Sequence, residues 1–180
     1  MKVVALVGMP GSGKSEVAKV FEANCYKTIR FGDVTDEEVK KRGLELNEKN
    51  EKSVREEMRA LHGMAVYAVL NLPRIEAALK SSDVVLDGLY SWEEYKYLVQ
   101  ELGKKFEIIA VWAPPRLRYS RLKQRKIRPL SPEQAKARDF AEIENVNKGG
   151  PIAMADYTIS NDSTLESLIA QANNIIKAVQ

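Results

Sequence analysis

The sequence predicts an α/β fold, a five-stranded parallel sheet with helices on both faces, and three observations carry that prediction. Five short apolar runs recur along the 180 residues. Helix-like stretches separate them, and strands alternating with helices imply parallel neighbours joined by helical crossovers. The first run, Val3 to Val7, leads directly into Gly8-Met9-Pro10-Gly11-Ser12-Gly13-Lys14-Ser15. This G-x-x-x-x-G-K-[ST] pattern requires a strand before it and a helix after it.

Each element follows in order. In the glycine-rich segment the backbone around Gly8, Gly11, Ser12 and Gly13 curls so that N–H groups point inward at a phosphate, and the helix starting near Gly13 adds its positive dipole end. Lys14 then reaches the outer phosphates, and Ser15 offers a hydroxyl to Mg²⁺. The chain is therefore read as a nucleotide binder with a three-layer P-loop NTPase fold. The first helix carries Val17, Val20 and Phe21 on one face. The second strand is expected over Thr28 to Phe31, and the charged stretch Asp36 to Leu61 reads as surface helices over the sheet edge. Met64 to Leu72 reads as a buried helix bent or ended at Pro73. The remaining strands are Val84 to Leu86, Phe106 to Val111 and Tyr157 to Ile159. Helix starts are signalled by S/T-x-x-E at Thr35, Ser91 and Ser163, and by Ser131-Pro132-Glu133-Gln134. The last helix shows an apolar packing stripe from Leu165 through Leu168, Ala172 and Ile176 to Val179.

Composition fits one domain, 1–180, with 44% hydrophobic residues. Lys and Arg total 28 against 25 acids, and the net charge of +3 is too small to argue for nucleic acid. The single Cys25 excludes an internal disulfide framework and is expected as a small buried hydrophobe in a reducing setting. The N-terminal apolar run is too short for a signal peptide or membrane span, so a cytoplasmic protein with no membrane partner is expected. His62 is the only histidine, which leaves little support for a histidine triad or zinc cluster. Trp92 and Trp112 are too far apart for a base-stacking stripe and read as packing residues.

Beyond the phosphate loop, Val84-Val85-Leu86-Asp87-Gly88 is a strand ending in a carboxylate, where a phosphate-loop protein needs an acid for Mg²⁺. Asp87 is the metal candidate beside Ser15, against the plainer reading of an Asp-Gly turn. Ile29-Arg30-Phe31-Gly32-Asp33 ends in a second acid. Asp33 is a candidate to orient or deprotonate an attacking hydroxyl or to help bind metal, and equally a cap for the next helix. Between Arg116 and Arg128 stand seven basic residues and no acid. On a helix, Arg118, Arg121, Arg125 and Arg128 would share one face, which suits a polyphosphate better than a merely solvated surface. Pro129 to Pro132 and Lys148-Gly149-Gly150-Pro151 read as two hinges of a helical lid over about 116–150 that excludes water from a nucleotide.

With these pieces in order, the chain resembles small P-loop kinases of the nucleoside monophosphate kinase group, in particular an archaeal-type adenylate-kinase-related family, and is similar also to dephospho-CoA kinase. The matching segments are Gly8 to Ser15, Phe31-Gly32-Asp33-Val34, Val85-Leu86-Asp87-Gly88, Arg121 to Arg128, Arg138-Asp139 and Ala155 to Asn161. The resemblance implies ATP as donor with Lys14 on its phosphates, Mg²⁺ near Ser15 and Asp87, and Arg125 and Arg138 closing from the lid. It also implies that Arg121 and the loop at Asn161 belong to the nucleotide-binding set, and that helices over about 34–80 face the acceptor. Two departures stand out: where such kinases carry arginines that clamp the acceptor phosphate, this chain has Asp36 and Tyr90. Arg30, Arg42, Arg55 and Arg59 are the candidate replacements. The expected activity is γ-phosphoryl transfer to a small molecule, first a nucleoside monophosphate, second dephospho-CoA. The competing class is a P-loop NTPase or nucleotide-dependent switch with water as acceptor.

Overall fold

The five apolar runs form one sheet in a computed structural model of the chain, which describes residues 1–127 and 129–179. Its strands are β1 (Val3–Val7), β2 (Lys27–Arg30), β3 (Val84–Asp87), β4 (Phe106–Trp112) and β5 (Tyr157–Ser160), all parallel, in the order β2-β3-β1-β4-β5. Parallel pairing brings every carboxyl end to one edge, and the register sets Asp87 opposite both Leu6 and Arg30. Such an edge is where open α/β sheets bind ligands.

The central strand β1 is wholly buried and feeds two cores by simple alternation. Val3, Ala5 and Val7 pack with Val84, Leu86, Tyr67 and Leu98, beneath α4 (Val66–Ala78) and α5 (Trp92–Leu102). Val4 and Leu6 pack with Phe21, Ile109, Leu168 and Ile176, beneath α1 (Lys14–Ala23) and α9 (Leu165–Val179). After β2 comes α2 (Asp33–Lys41), which packs on α3 (Glu48–His62). A hairpin of α6 (Pro115–Lys123) and α7 (Pro132–Glu144) projects past the strand ends, and the short α8 (Gly149–Ala153) leads back to β5. No helix among the described residues is long and apolar enough to cross a membrane.

Several local expectations are corrected. The helix over Met64 to Leu72 neither ends nor begins as expected: α4 runs through Pro73 to Ala78. The carbonyl that Pro73 cannot serve belongs to Val69, an exposed residue, while Tyr67, Ala68 and Ile75 on the other face are buried. Ser91 and Ser131 form full capping boxes, whereas α2 begins at Asp33 and leaves Thr35 inside it, its hydroxyl donating to the Tyr67 hydroxyl at 3.1 Å. At α9 the cap is Thr164 rather than Ser163, accepting from the Ser167 N–H at 3.2 Å. Cys25 is exposed, not buried, because it turns the chain after α1 with φ 67°, and Tyr26 instead packs edge-on against Phe21. Trp92 stacks on Tyr95, but Trp112 is 49% exposed at the end of β4, so only the first is a packing residue.

The basic helix is also shorter than its spacing suggested. α6 stops at Lys123, and the Leu122 carbonyl accepts from the N–H of Leu130 instead of continuing the helix. Like charges at helical spacing oppose a longer helix, and Arg125 lies in the loop that follows. The single arginine face is thus not formed as expected, and Arg128 lies outside the described residues. The expected return hinge is the packed entry to α8, with Lys148 buried.

Candidate functional site

The phosphate loop is shaped by backbone that only glycine tolerates. Gly8 and Gly13 have φ 145° and 105°, and a Cβ on either would come 2.3 Å from the Val111 carbonyl oxygen or 2.2 Å from Asn161 Nδ2. The Lys14 ammonium donates to the carbonyl oxygens of Gly8 at 2.9 Å and Met9 at 3.3 Å, filling the concavity with positive charge. Burial, reinforced by the neighbouring Lys148, lowers the Lys14 pKa to about 7. The buried Ser12 hydroxyl makes no hydrogen bond among the described residues. A curled backbone, an ammonium and an orphaned hydroxyl form a cradle of the size and charge of a phosphate chain.

Other elements hold that cradle. Asn161, after β5, donates from Nδ2 to the Ser12 carbonyl at 2.7 Å, and Arg121 donates to the Asn161 carbonyl at 3.0 Å. Arg118, 4% exposed, donates to the Pro10 carbonyl at 3.1 Å and grips Asp139 with two bonds of 2.9 and 2.6 Å. This buried fork ties the root of the α6–α7 hairpin to the phosphate loop, so Arg118 is a structural clamp rather than a member of a phosphate-facing row. Ser15 Oγ donates to Asp87 Oδ2 at 3.0 Å, which joins the two metal candidates. No cluster of three or more His, Cys, Asp or Glu among the described residues is arranged to hold a metal. One hydroxyl and one carboxylate beside a phosphate cradle nevertheless fit Mg²⁺, which keeps several waters and takes phosphate oxygens as ligands.

A cleft of about 700 Å³ opens next to this cradle, between the β2 end, α2, α3 and the α6–α7 hairpin. Arg30, Arg55, Arg59, Arg125 and Arg138 all line it, together with Asp36, Glu48, Tyr90 and Glu142. Four of these arginines are paired. Arg30 contacts Asp33 and Asp36 at 3.4 and 3.3 Å, Arg55 contacts Glu48 at 2.9 Å, and Arg59 lies 3.8 Å from Glu94. Arg138 donates from Nε to Glu142 at 3.1 Å and reaches Glu48 at 3.5 Å, an ion pair that spans the cleft from α7 to α3. Arg125 has no carboxylate partner among the described residues, and burial followed by the charge of Arg138 lowers its pKa.

Lys14, Ser15, Asp87, Arg121 and Asn161 thus converge around the phosphate loop, while Arg125 and Arg138 stand on the cleft. Asp33 opens α2 beside Arg30 but is not on the cleft wall, where Asp36 is. Of the candidate replacement arginines, Arg30, Arg55 and Arg59 line the cleft, and Arg42 pairs away from it with Glu38 and Glu57. Sequence reasoning missed Glu48, Glu142 and Lys148 as site residues. Glu142 had a signal, four residues after Arg138 on one helix face. Lys148 had none, since its partner is fixed only by the turn after α7.

Residues 4–144 match the family profile described as AAA domain. The UPF0200 protein TK1334 of Thermococcus kodakarensis is 36% identical, over 98% of this chain and 97% of that protein. Among solved structures, TT1252 from Thermus thermophilus superposes with a TM-score of 0.69 at 20% identity, over 98% of this chain and 96% of that one. The shikimate kinase from Bacteroides thetaiotaomicron does so with a TM-score of 0.61 at 13% identity, over 98% of each chain. At these identities the two structures establish the α/β P-loop kinase-like fold.

Proposed function

The chain belongs to the UPF0200 protein family, with an AAA domain over residues 4–144, and we propose that it is an ATP-dependent kinase that transfers the γ-phosphoryl group to a small-molecule acceptor, a nucleoside monophosphate. The cleft carries this reading: about 700 Å³ beside a phosphate cradle, with five guanidiniums on its wall. An enzyme whose acceptor is water needs no such chamber, whereas an anionic acceptor needs both the room and the charge.

When bound, ATP and Mg²⁺ supply the transferable group and a cation that spreads its negative charge. Lys14, now on the carbonyls of Gly8 and Met9, would bind phosphate oxygens, Ser15 and Asp87 would hold the cation's shell, and Arg121 and Asn161 would border the base. Arg125 and Arg138 stabilise charge on the transferring group. The acceptor oxygen forms its bond to the γ-phosphorus as the bond to the β–γ bridging oxygen breaks, and that electron pair leaves with ADP. A phosphate acceptor arrives ionised at pH 7 and needs no general base, which agrees with Asp33 lying off the cleft wall.

Asp36 and Tyr90 stand on that wall at the expected clamp positions. This favours, as the second reading, an acceptor gripped elsewhere, such as dephospho-CoA, whose hydroxyl would call on Asp33 or Asp36 as base. The test is ATP turnover with added acceptors. Stimulation by AMP or CMP supports the first reading, and stimulation by dephospho-CoA alone replaces it with the second. Hydrolysis that no small acceptor accelerates would assign the chain to the nucleotide-dependent switches.

A further inference from the structure

Lys148 is the least expected charge in the molecule. It is 1% exposed, in the turn that enters α8, where a Cβ on Gly150 would come 2.7 Å from the Trp92 ring. Burying an ammonium is costly unless it is paired, so packing of the turn does not account for it. Its backbone N–H donates to the Glu142 carbonyl at 3.1 Å, its ammonium forms a short ion pair with Glu142 Oε2, and that ammonium lies 4.9 Å from the centre of the Tyr90 ring. Two of these contacts hold the cation behind the cleft wall, and the third holds its backbone.

The other Glu142 oxygen, Oε1, accepts from Arg138 Nε at 3.1 Å. Glu142, Arg138 and Tyr90 all face the cleft, and Lys148 does not. Arg138 is therefore flanked by two carboxylates, Glu142 and Glu48. Arg55 shares Glu48 at 2.9 Å and also meets Glu51 at 3.6 Å, so three carboxylates stand against two guanidiniums, and without a further cation the network would carry net negative charge at the place where an anionic acceptor must enter. With Lys148 it balances. Burial opposes the ionisation of Glu142, yet Lys148, Arg138 and Lys14 together hold its carboxyl at about 2, so the anion that orients Arg138 persists.

We propose that Lys148 is a positioning residue for phosphoryl transfer: it neutralises Glu142 from behind, so that Glu142 orients the Arg138 guanidinium over the cleft without cancelling its charge. This rests on the kinase reading, and Lys148 reaches Arg138 only through Glu142. A turn that needed tying alone would be served equally by any group able to bond Glu142, charged or not.

The test uses the full chain with Lys148→Met, Lys148→Arg, Glu142→Gln and the double variant Lys148→Met/Glu142→Gln. Turnover is read with the acceptor that the unchanged protein uses. Arginine modification by a dicarbonyl reagent is read separately at Arg138, in ligand-free protein, by mass spectrometry. Lys148→Met should lower kcat by about tenfold with the KM for ATP unchanged, the scale on which misplacing a transition-state group acts. The double variant should recover most of that loss because it restores the charge balance, and Lys148→Arg should keep most of the activity. In ligand-free Lys148→Met protein, modification of Arg138 should slow by ~3-fold as Glu142 holds the guanidinium more tightly. A double variant no better than Lys148→Met, or Arg138 labelling unaffected by Lys148→Met, overturns the proposal and leaves Lys148 as a tie in the turn. If Lys148→Met fails to fold, the double variant decides against Glu142→Gln: equal turnover supports the proposal, since Lys148 then adds nothing once Glu142 is neutral, and turnover well below that of Glu142→Gln overturns it. If no acceptor stimulates the unchanged protein, the kinase reading fails, and Arg138 labelling still decides whether Lys148 governs Arg138.

Discussion

In the kinase proposed above, the donor and acceptor halves of the site are built from different materials. Around the phosphate loop the recognition groups are main chain, fixed by glycine conformations and by Asn161 and Arg118 bonded to loop carbonyls, with Arg121 holding Asn161. Across the cleft they are side chains from several elements, and Arg30, Arg55, Arg59 and Arg138 already hold carboxylates of the protein itself. The donor half is preorganised, so a phosphate chain enters without displacing a competing anion. In the acceptor half a ligand must exchange with Asp36, Glu48 or Glu142, and its affinity is the difference between two anions. Specificity therefore resides in the half with internal competition.

The largest effect should come from the donor half. Lys14→Ala removes the ammonium bonded to the loop carbonyls and should cut ATP turnover by at least about 1000-fold while the fold survives. Turnover like that of the unchanged protein would sink the assignment of the loop. Gly13→Ala should act on the same half by geometry alone, because its Cβ falls on Asn161 Nδ2. Nucleotide affinity, followed by calorimetry, should collapse with the charge of the site intact.

That contrast also explains what the sequence could reveal. A cradle made of consecutive backbone groups leaves a contiguous signature, and Gly8 to Ser15 could be read at sight. All five strands were legible from their apolar runs, and Asp87 from its position at a strand end, because a parallel sheet aligns strand ends whatever the loops do. The cleft was legible only in part. Arg125 and Arg138 were found, but the row of Arg118, Arg121 and Arg125 dissolved, since helix spacing says nothing about where a helix stops or that Asp139 would bury Arg118. Glu48 and Lys148 depend on tertiary contacts between segments that have no common spacing. Cys25 and Trp112 failed for a related reason: average burial preferences gave way to a positive-φ turn and to a strand end.

In the acceptor half, Arg125→Ala should lower kcat by about 10- to 100-fold and leave the KM for ATP within about threefold, if its guanidinium acts on the transition state. Steady-state kinetics with each substrate varied would expose the opposite pattern, a raised KM at constant kcat, which would make Arg125 a binding residue. A finer division concerns the two acids that share Arg30. Asp36→Asn, on the cleft wall, should change the acceptor KM by about fivefold, and Asp33→Asn, off it, by less than about twofold. The reverse order would identify Asp33 as the acid that meets the acceptor.

The last expected effect is on stability rather than turnover, and it lies behind the acceptor wall. Glu94 is fully buried, accepts from the N–H groups of Tyr90 and Ser91 at 2.8 and 3.3 Å, and backs Arg59 at 3.8 Å. Burial outweighs those partners and pushes its carboxyl up to about 7 from an ordinary 4.5. A carboxyl whose pKa is raised on folding keeps its proton longer in the native state than in the unfolded chain. Its contribution to stability is therefore complete below about 4.5, declines as the pH rises towards about 7, and changes little beyond. Glu94→Gln retains an acceptor for the two N–H groups and removes the ionisation. Between pH 5 and 8 its stability should gain on that of the unchanged protein, by on the order of 2 kcal/mol at most. Denaturant titrations across that range check the sign: parallel curves for the two proteins would mean that Glu94 stays ionised against Arg59, and that the acceptor wall is braced by an ion pair rather than by a neutral acid.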